Sequence, residues 1–251
     1  MTLTPAPQSP PAAPRLAATM LLVRDNPFEV LLARRHAKAV FASALVFPGG
    51  AVDDDDYRDE WLPLLGSGTE LPRNERAIRI AGIREVFEET AMLLASRPDG
   101  SDVDQPQHTD APFLDVVRAS GGRLLLDDLY PFGHWITPEV APRRFDTHFL
   151  LARAPRGHHP TPDGGEIVAL DWARPADVVR RAGNDEQSIM FPTLLNLMRL
   201  AESDDSANAI AAAQERQPYT VLPVLEVRDG GLKVIVIPAE AAYGVTEHPF
   251  P

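Results

Sequence analysis

Apolar positions change their period along the chain, and the changes mark out its elements. Ala17 to Val23 is apolar, Asp25-Asn26-Pro27 reads as a turn, and Glu29 to Ala33 is apolar again, which predicts a β-hairpin. Leu45-Val46-Phe47 predicts a short buried strand stopped by Pro48-Gly49-Gly50. From Asn74 to Ser96 the period becomes helical. Ile78, Ile80, Ile83, Val86, Phe87, Thr90, Leu93 and Leu94 recur at three- and four-residue spacing, and Pro98-Asp99-Gly100 is the stop. A shorter helix is expected over Phe113 to Ala119, ended by Gly121-Gly122. Strands follow at Leu129 to Ile136, Phe145 to Ala152 and Glu166 to Trp172. A short helix runs from Pro175 to about Ala182, and another is opened by Pro192 and ends near Leu200. Val221 to Val227 and Leu232 to Ile237 flank Arg228-Asp229-Gly230-Gly231 as a second hairpin. Strands and helices alternate, so the class is mixed α/β.

Three segments fall outside this pattern. Residues 1–14 carry five prolines and read as an unstructured arm. Residues 51–73 are acidic and then rich in Gly and Pro. They lack the spacing and glycine of a calcium loop, so a solvated loop is expected. Residues 203–251 form an extension that carries the second hairpin. Its strand Val234-Ile235-Val236-Ile237 is apolar on both faces, which predicts burial either on the main sheet or against a second copy as a homodimer.

Composition narrows the function more than the fold. The absence of cysteine among 251 residues excludes disulfide scaffolds, thiolate metal sites and cysteine nucleophiles. The net charge of -12 argues against bulk nucleic-acid binding. A small anionic substrate would then need local arginines or metal ions. No apolar run is long enough to span a membrane, and the N-terminus lacks a secretory signal pattern, so a cytoplasmic protein is expected.

The candidate chemistry lies in Arg84-Glu85-Val86-Phe87-Glu88-Glu89-Thr90. On a helix Glu85, Glu88 and Glu89 fall at i, i+3 and i+4 and share a face. Each like pair costs a few tenths of a kcal/mol, on the order of 0.3. A hard divalent cation removes that cost, and Mg²⁺ takes oxygen ligands. Arg84 is placed to orient a carboxylate. A plain solvated acidic face is the competing reading. Upstream, the Gly49-Gly50 turn lets backbone approach a metal closely.

These residues resemble the Nudix hydrolase family, whose box reads G-x5-E-x7-R-E-U-x-E-E-x-G-U with U apolar. Gly50 matches the opening glycine, Arg84-Glu85-Val86 and Glu88-Glu89 the second half, and Met92 the last apolar place. Arg84 lies 34 residues beyond Gly50, against 14 in the box, so about 20 are inserted. Counted back from Arg84, the box's first glutamate falls on Arg76, with Glu75 one place off, and its second glycine is Ala91. Further stretches are similar to the branch of the mammalian peroxisomal coenzyme A diphosphatase. They are Glu29 to Arg35, Val46 to Gly50, Ile83 to Leu94, Trp135 to Pro138 and Arg143 to Thr147, within residues 17–202.

The resemblance implies a Nudix fold, a mixed sheet between helices (α/β/α), over residues 15–202, with 51–73 inserted in the box. It implies Mg²⁺-dependent hydrolysis of a nucleoside diphosphate linked to another group, with Mn²⁺ able to substitute. Coenzyme A or acyl-CoA is the favoured substrate class. ADP-ribose, a dinucleotide or a nucleoside triphosphate is the alternative, and a ligand-sensing module without turnover is a third reading. Glu85, Glu88, Glu89 and the Gly50 carbonyl are the implied metal ligands, with Glu85 also a candidate base and Arg84 its partner. Glu166 is a further acidic candidate, against the plainer reading of an exposed strand-start residue. Arg34, Arg35, Arg143 and Arg144 are candidates for phosphate, because a guanidinium fork fits its oxygens. His158-His159 reads as solvated, and Trp135 as a buried strand-end aromatic.

Overall fold

The structure is a computed structural model that describes residues 12–36, 45–184 and 189–249. Most of the proline-rich arm, residues 1–11, lies outside the described residues.

The first hairpin is present. β1 (Arg15–Arg24) turns into β2 (Glu29–Arg35), and the two pair antiparallel only near the turn, at Val23–Val30 and Arg24–Glu29. Beyond it they diverge and each takes other partners. The first half of β1 pairs with β4 (Gly49–Ala51), which follows the short β3 (Leu45–Val46). β2 pairs with β3 on the edge that faces β1, and along its outer edge with β9 (Ile167–Ala173). On its other side β1 runs parallel to β8 (Phe145–Arg153), which pairs antiparallel with β7 (Tyr130–Ile136). A separate parallel pair is made by β5 (Leu65–Ser67) and β6 (Leu124–Leu125). β10 (Thr220–Val221) joins the main sheet beside β7, so the C-terminal extension contributes a strand.

Strand alternation divides the core into two. Ala18, Met20, Leu22, Leu31, Leu150 and Ala152 face one helical layer, α1 (Arg73–Thr90) and α2 (Phe113–Ser120). Leu21, Val23, Leu32, Phe149 and Leu151 face the other. That second layer is α3 (Pro175–Gly183), α4 (Phe191–Leu200) and α5 (Ser206–Glu215) with the C-terminal residues. The result is the expected α/β/α sandwich.

α1 is about 27 Å long at 1.5 Å per residue. It lies close on β1, because Gly82 leaves no room for a side chain: an added Cβ would stand 2.7 Å from the Met20 sulfur. The helix ends six residues before the expected Ser96. Ala91 adopts the left-handed conformation (φ 57°) at the place where the family box has glycine, and its N–H donates to the Phe87 carbonyl. Leu93 and Leu94 still pack inward, so the helical period outlasts the helix.

The acidic segment is not the solvated loop expected. Two short 3₁₀ turns, Asp54–Tyr57 and Asp59–Leu64, bury Asp56 and Trp61. The Trp61 ring packs on Phe113, 5.5 Å between centroids. His158 also departs from its expectation. It is buried, with Nε2 bonded to the Val103 carbonyl, while His159 is exposed. Trp135 is buried as expected, and its indole donates to the Tyr243 hydroxyl.

The extension is bound to the second core. Arg199 on α4 donates to the carbonyls of Phe132 and Ala241 and lies 3.5 Å from the Tyr243 ring centroid. The second hairpin, β11 (Val224–Val227) and β12 (Lys233–Val236), gains a third strand, β13 (Glu247–Pro249). This small sheet is separate from the main one, so Val234 and Ile237 are not buried there as a main-sheet strand. They are covered within the chain, while Val224, Val227 and Leu232 are exposed. α5 was not foreseen, because its Ala-rich run carries too little apolar contrast to show a period. Among the described residues no helix is long and apolar enough to cross a membrane.

Candidate active site

The last two turns of α1 lie against β4. In the β1–β4 ladder Ala18 pairs with Gly50 and Thr19 with Gly49. The alternation of an antiparallel ladder turns the Gly49 N–H away from β1. It donates to Glu89 Oε2 at 3.0 Å. Gly50 faces Glu85, and a Cβ there would stand 2.5 Å from all three carboxyl atoms of that side chain. Gly50→Ala is therefore expected to displace Glu85 with little loss of fold, since only a side-chain end must move. A melting temperature near that of the parent with metal affinity reduced at least about tenfold is the outcome; unchanged affinity would refute this role for Gly50.

The three glutamates are not equally solvated, as one exposed face would require. Glu89 is buried, Glu85 half-buried and Glu88 exposed. Burial is the main force on all three. It pushes the Glu85 carboxyl up to about 7, against the pull of Arg84. It pushes Glu89 up to about 8, with the neighbouring Glu85 adding to the rise. Glu88 is raised for the same first reason, opposed by Arg84.

Arg84 is the hub of the cluster. Its Nε and Nη2 grip the two oxygens of Asp56, each at 3.0 Å, while Nη2 also reaches the Ala51 carbonyl at 2.9 Å. Nη1 bonds Glu85 at 2.9 Å and Glu88 at 3.0 Å. Desolvation raises the Asp56 carboxyl, which Arg84 opposes, and the acidic partners drive the guanidinium well above its ordinary value. Asp56 is the residue the sequence reading missed. It is the sixth residue after Gly50, where the box has its first acidic residue. Glu75 instead pairs with Arg79, at 3.0 Å, at the far end of α1. Asp56, and not Glu75, is thus the acidic side chain that the structure sets against Arg84.

Beside Glu89 lie Arg35 and Glu166, paired at 3.1 Å, the first lowering and the second raising its carboxyl. Arg35 Nε is buried without a hydrogen-bond partner among the described residues. Arg34, on the next pleat of β2, is exposed and away from this group. Arg143 is exposed in the bend before β8. Arg144 is buried and committed to the backbone carbonyls of Thr137 and Ala12. The structure thus gathers Gly50, Arg84, Glu85, Glu88, Glu89, Arg35 and Glu166, and leaves out Arg34, Arg143 and Arg144.

The gathered groups fit a hard divalent cation. The donors are all oxygens, two carboxyls are raised by burial, Glu89 also by the neighbouring Glu85, and a glycine keeps the backbone against one of them.

Comparison with known proteins identifies the family and the fold. The chain is similar to the acyl-coenzyme A diphosphatase NUDT19 of Gallus gallus, 29% identical over 256 residues, spanning 74% of this chain and 68% of the relative. It is 24% identical to the human protein of the same name, over 95% of this chain and 72% of that one. A putative nudix hydrolase 7 of Caenorhabditis elegans is 28% identical, and the match spans 62% of its length. Among solved structures, a NUDIX hydrolase from Alicyclobacillus acidocaldarius superposes with a TM-score of 0.67 at 26% identity, covering 79% of this chain and 96% of that one. The NUDIX domain model matches residues 13–194, most of the sheet together with α1. The chain belongs to the Nudix family.

Proposed function

We propose that this Nudix-type diphosphatase cleaves the diphosphate of coenzyme A or acyl-CoA, using Mg²⁺ held by Glu85, Glu88, Glu89 and the Gly50 carbonyl, with Mn²⁺ able to substitute. The observation that carries the reading is the buried Glu85–Glu89 pair against the Gly49–Gly50 turn, with Arg35 alongside. The substrate class is supported by the named activity of the similar proteins in chicken and human.

When bound, the cation supplies charge neutralisation at the diphosphate and lowers the pKa of a water molecule. The chain's own residues do the rest. The Gly49 N–H fixes one Glu89 oxygen and leaves the other free. Arg84 fixes Glu85 Oε1, which leaves Oε2 to ligate the cation or, where Glu88 and Glu89 would hold it, to take the proton of the attacking water. Arg35, whose side chain is partly exposed beside Glu89, is the guanidinium placed to hold a phosphate oxygen. Glu166 orients Arg35 through their ion pair. The water oxygen bonds to phosphorus, the bridging P–O bond breaks, and two phosphate-bearing fragments leave.

The test is a panel of coenzyme A, an acyl-CoA, ADP-ribose, NADH and ATP, assayed with and without Mg²⁺. Coenzyme A or its thioester is expected to lead in kcat/KM by at least about tenfold, a difference of ~1.4 kcal/mol in transition-state binding. A lead for ADP-ribose, NADH or ATP would reassign the substrate.

The raised carboxyls also set a pH dependence. The folded, metal-free chain holds protons on Glu85 and Glu89 that the unfolded chain has released, from the ordinary carboxylate range up to about 7 and about 8. Their contribution to stability is therefore present at low pH and lost as pH rises through those values. Mg²⁺ binding needs the ionised forms, so it tightens over the same interval and releases protons. The rise in melting temperature on adding Mg²⁺ is expected to be larger near pH 9 than near pH 6, about one unit above the higher and below the lower of the two values; equal shifts would contradict the assignment of these carboxyls.

A further inference from the structure

A second group of ligating side chains sits on the same sheet face as the glutamates, under the start of α1. The ladder registers align Gly50, Ala18, His148, His134 and Thr220 in one row across β4, β1, β8, β7 and β10. Side chains directly opposite in a sheet point the same way, and strands are about 4.8 Å apart. His148 is thus two strands from Gly50, about 10 Å away. Asp146, two residues before His148 on β8, shares its face.

The two imidazoles stack with centroids 4.1 Å apart and planes 22° apart. The Asp146 carboxylate accepts a hydrogen bond from His134 Nε2. His148 Nε2 lies 3.8 Å from the same oxygen, beyond hydrogen-bond range. One carboxylate therefore faces two ring nitrogens and satisfies only one. A ligand atom from each of the three residues lies within 4.8 Å of the other two. All three are partly buried. On the far side, His134 Nδ1 meets the Thr220 hydroxyl at 2.7 Å, the outer contact that fixes a ligating imidazole.

We propose that His134, Asp146 and His148 bind a divalent first-row transition ion of the zinc class, at a site distinct from the carboxylate cluster. Two imidazoles and one carboxylate suit Zn²⁺ or Co²⁺, whereas the all-oxygen cluster suits Mg²⁺. The ion bridges β7 and β8, and Thr220 ties it to β10 of the C-terminal extension. Coordination at the ~2.0–2.2 Å that such ions require needs the two stacked rings to splay, so that both in-plane lone pairs converge on the ion.

The test uses the full chain, freed of metal by chelation and held in excess Mg²⁺ so that the glutamates are occupied. Co²⁺ is titrated and followed by its visible absorption, then displaced with Zn²⁺. One equivalent is expected to bind. Thr220→Val is expected to weaken binding about tenfold, and His134→Ala or His148→Ala by more, whereas Glu89→Gln leaves it unchanged. Circular dichroism checks the fold of each variant, and Asp146→Asn, which keeps the volume, is read in place of a histidine variant that does not fold. No binding in excess Mg²⁺, binding that survives His148→Ala, or binding that Glu89→Gln removes overturns the assignment.

Discussion

Glu89→Gln is expected to lower turnover by about 10³-fold or more while the chain folds as before. The two readouts separate because of where Glu89 sits. Burial and the adjacent Glu85 already hold its carboxyl up to about 8, so the neutral amide reproduces the form that the metal-free chain favours near neutral pH. The amide oxygen still accepts from the Gly49 N–H, and that bond is retained. What is lost is a negative charge at the place where a cation would be held. The expected signature is a melting temperature equal to or above that of the parent without metal, together with a greatly reduced rise on adding Mg²⁺. A variant that keeps its rate would remove Glu89 from the catalytic cluster.

Arg84→Ala is expected to act mainly on stability. The Asp56 side chain is only 1% exposed, and the Arg84 fork is its principal partner. Removing one member of a buried pair leaves a charge without compensation, at a cost of about 3–5 kcal/mol. For a chain of this size that corresponds to a fall in melting temperature on the order of 10 °C. Pairing the change with Asp56→Ala removes the stranded charge, so the double variant is expected to be more stable than Arg84→Ala alone, yet inactive, because Glu85 and Glu88 lose the same guanidinium. A double variant no more stable than the single one would show that the pair is not coupled in this way.

The sequence revealed the elements whose signal is local. The β1–β2 hairpin, α1 and the Arg84 to Glu89 string follow from period and spacing within a single element. Residues whose role depends on distant partners were harder to read. Asp56 lay in an acidic run whose four aspartates look alike in composition. Only the fold distinguishes the one turned inward to Arg84, although counting six places forward from Gly50 would have singled it out. Glu89 was foreseen with Glu85 as a leading metal carboxylate, but its burial depends on how α1 crosses β4, which no helical period encodes. The four arginine candidates were chemically equivalent in the sequence. Strand alternation separates Arg35 from Arg34, and backbone carbonyls occupy Arg144. The Asp146-Thr147-His148 alternation was a readable clue to a shared face, but its third member, His134, comes from another strand.

Because Asp56 and Arg84 clasp each other where the chain leaves β4 and where α1 delivers its carboxylates, the stretch between them forms a closed loop anchored at its neck. Ring closure grows costlier only with the logarithm of length, roughly 0.6 kcal/mol per doubling. Lengthening or shortening its part before α1, residues 57–72, is therefore expected to cost little at the neck. Its dimensions answer to the Trp61–Phe113 packing and not to the reaction, so the catalytic half of the protein and the decoration inserted into it are free to diverge separately.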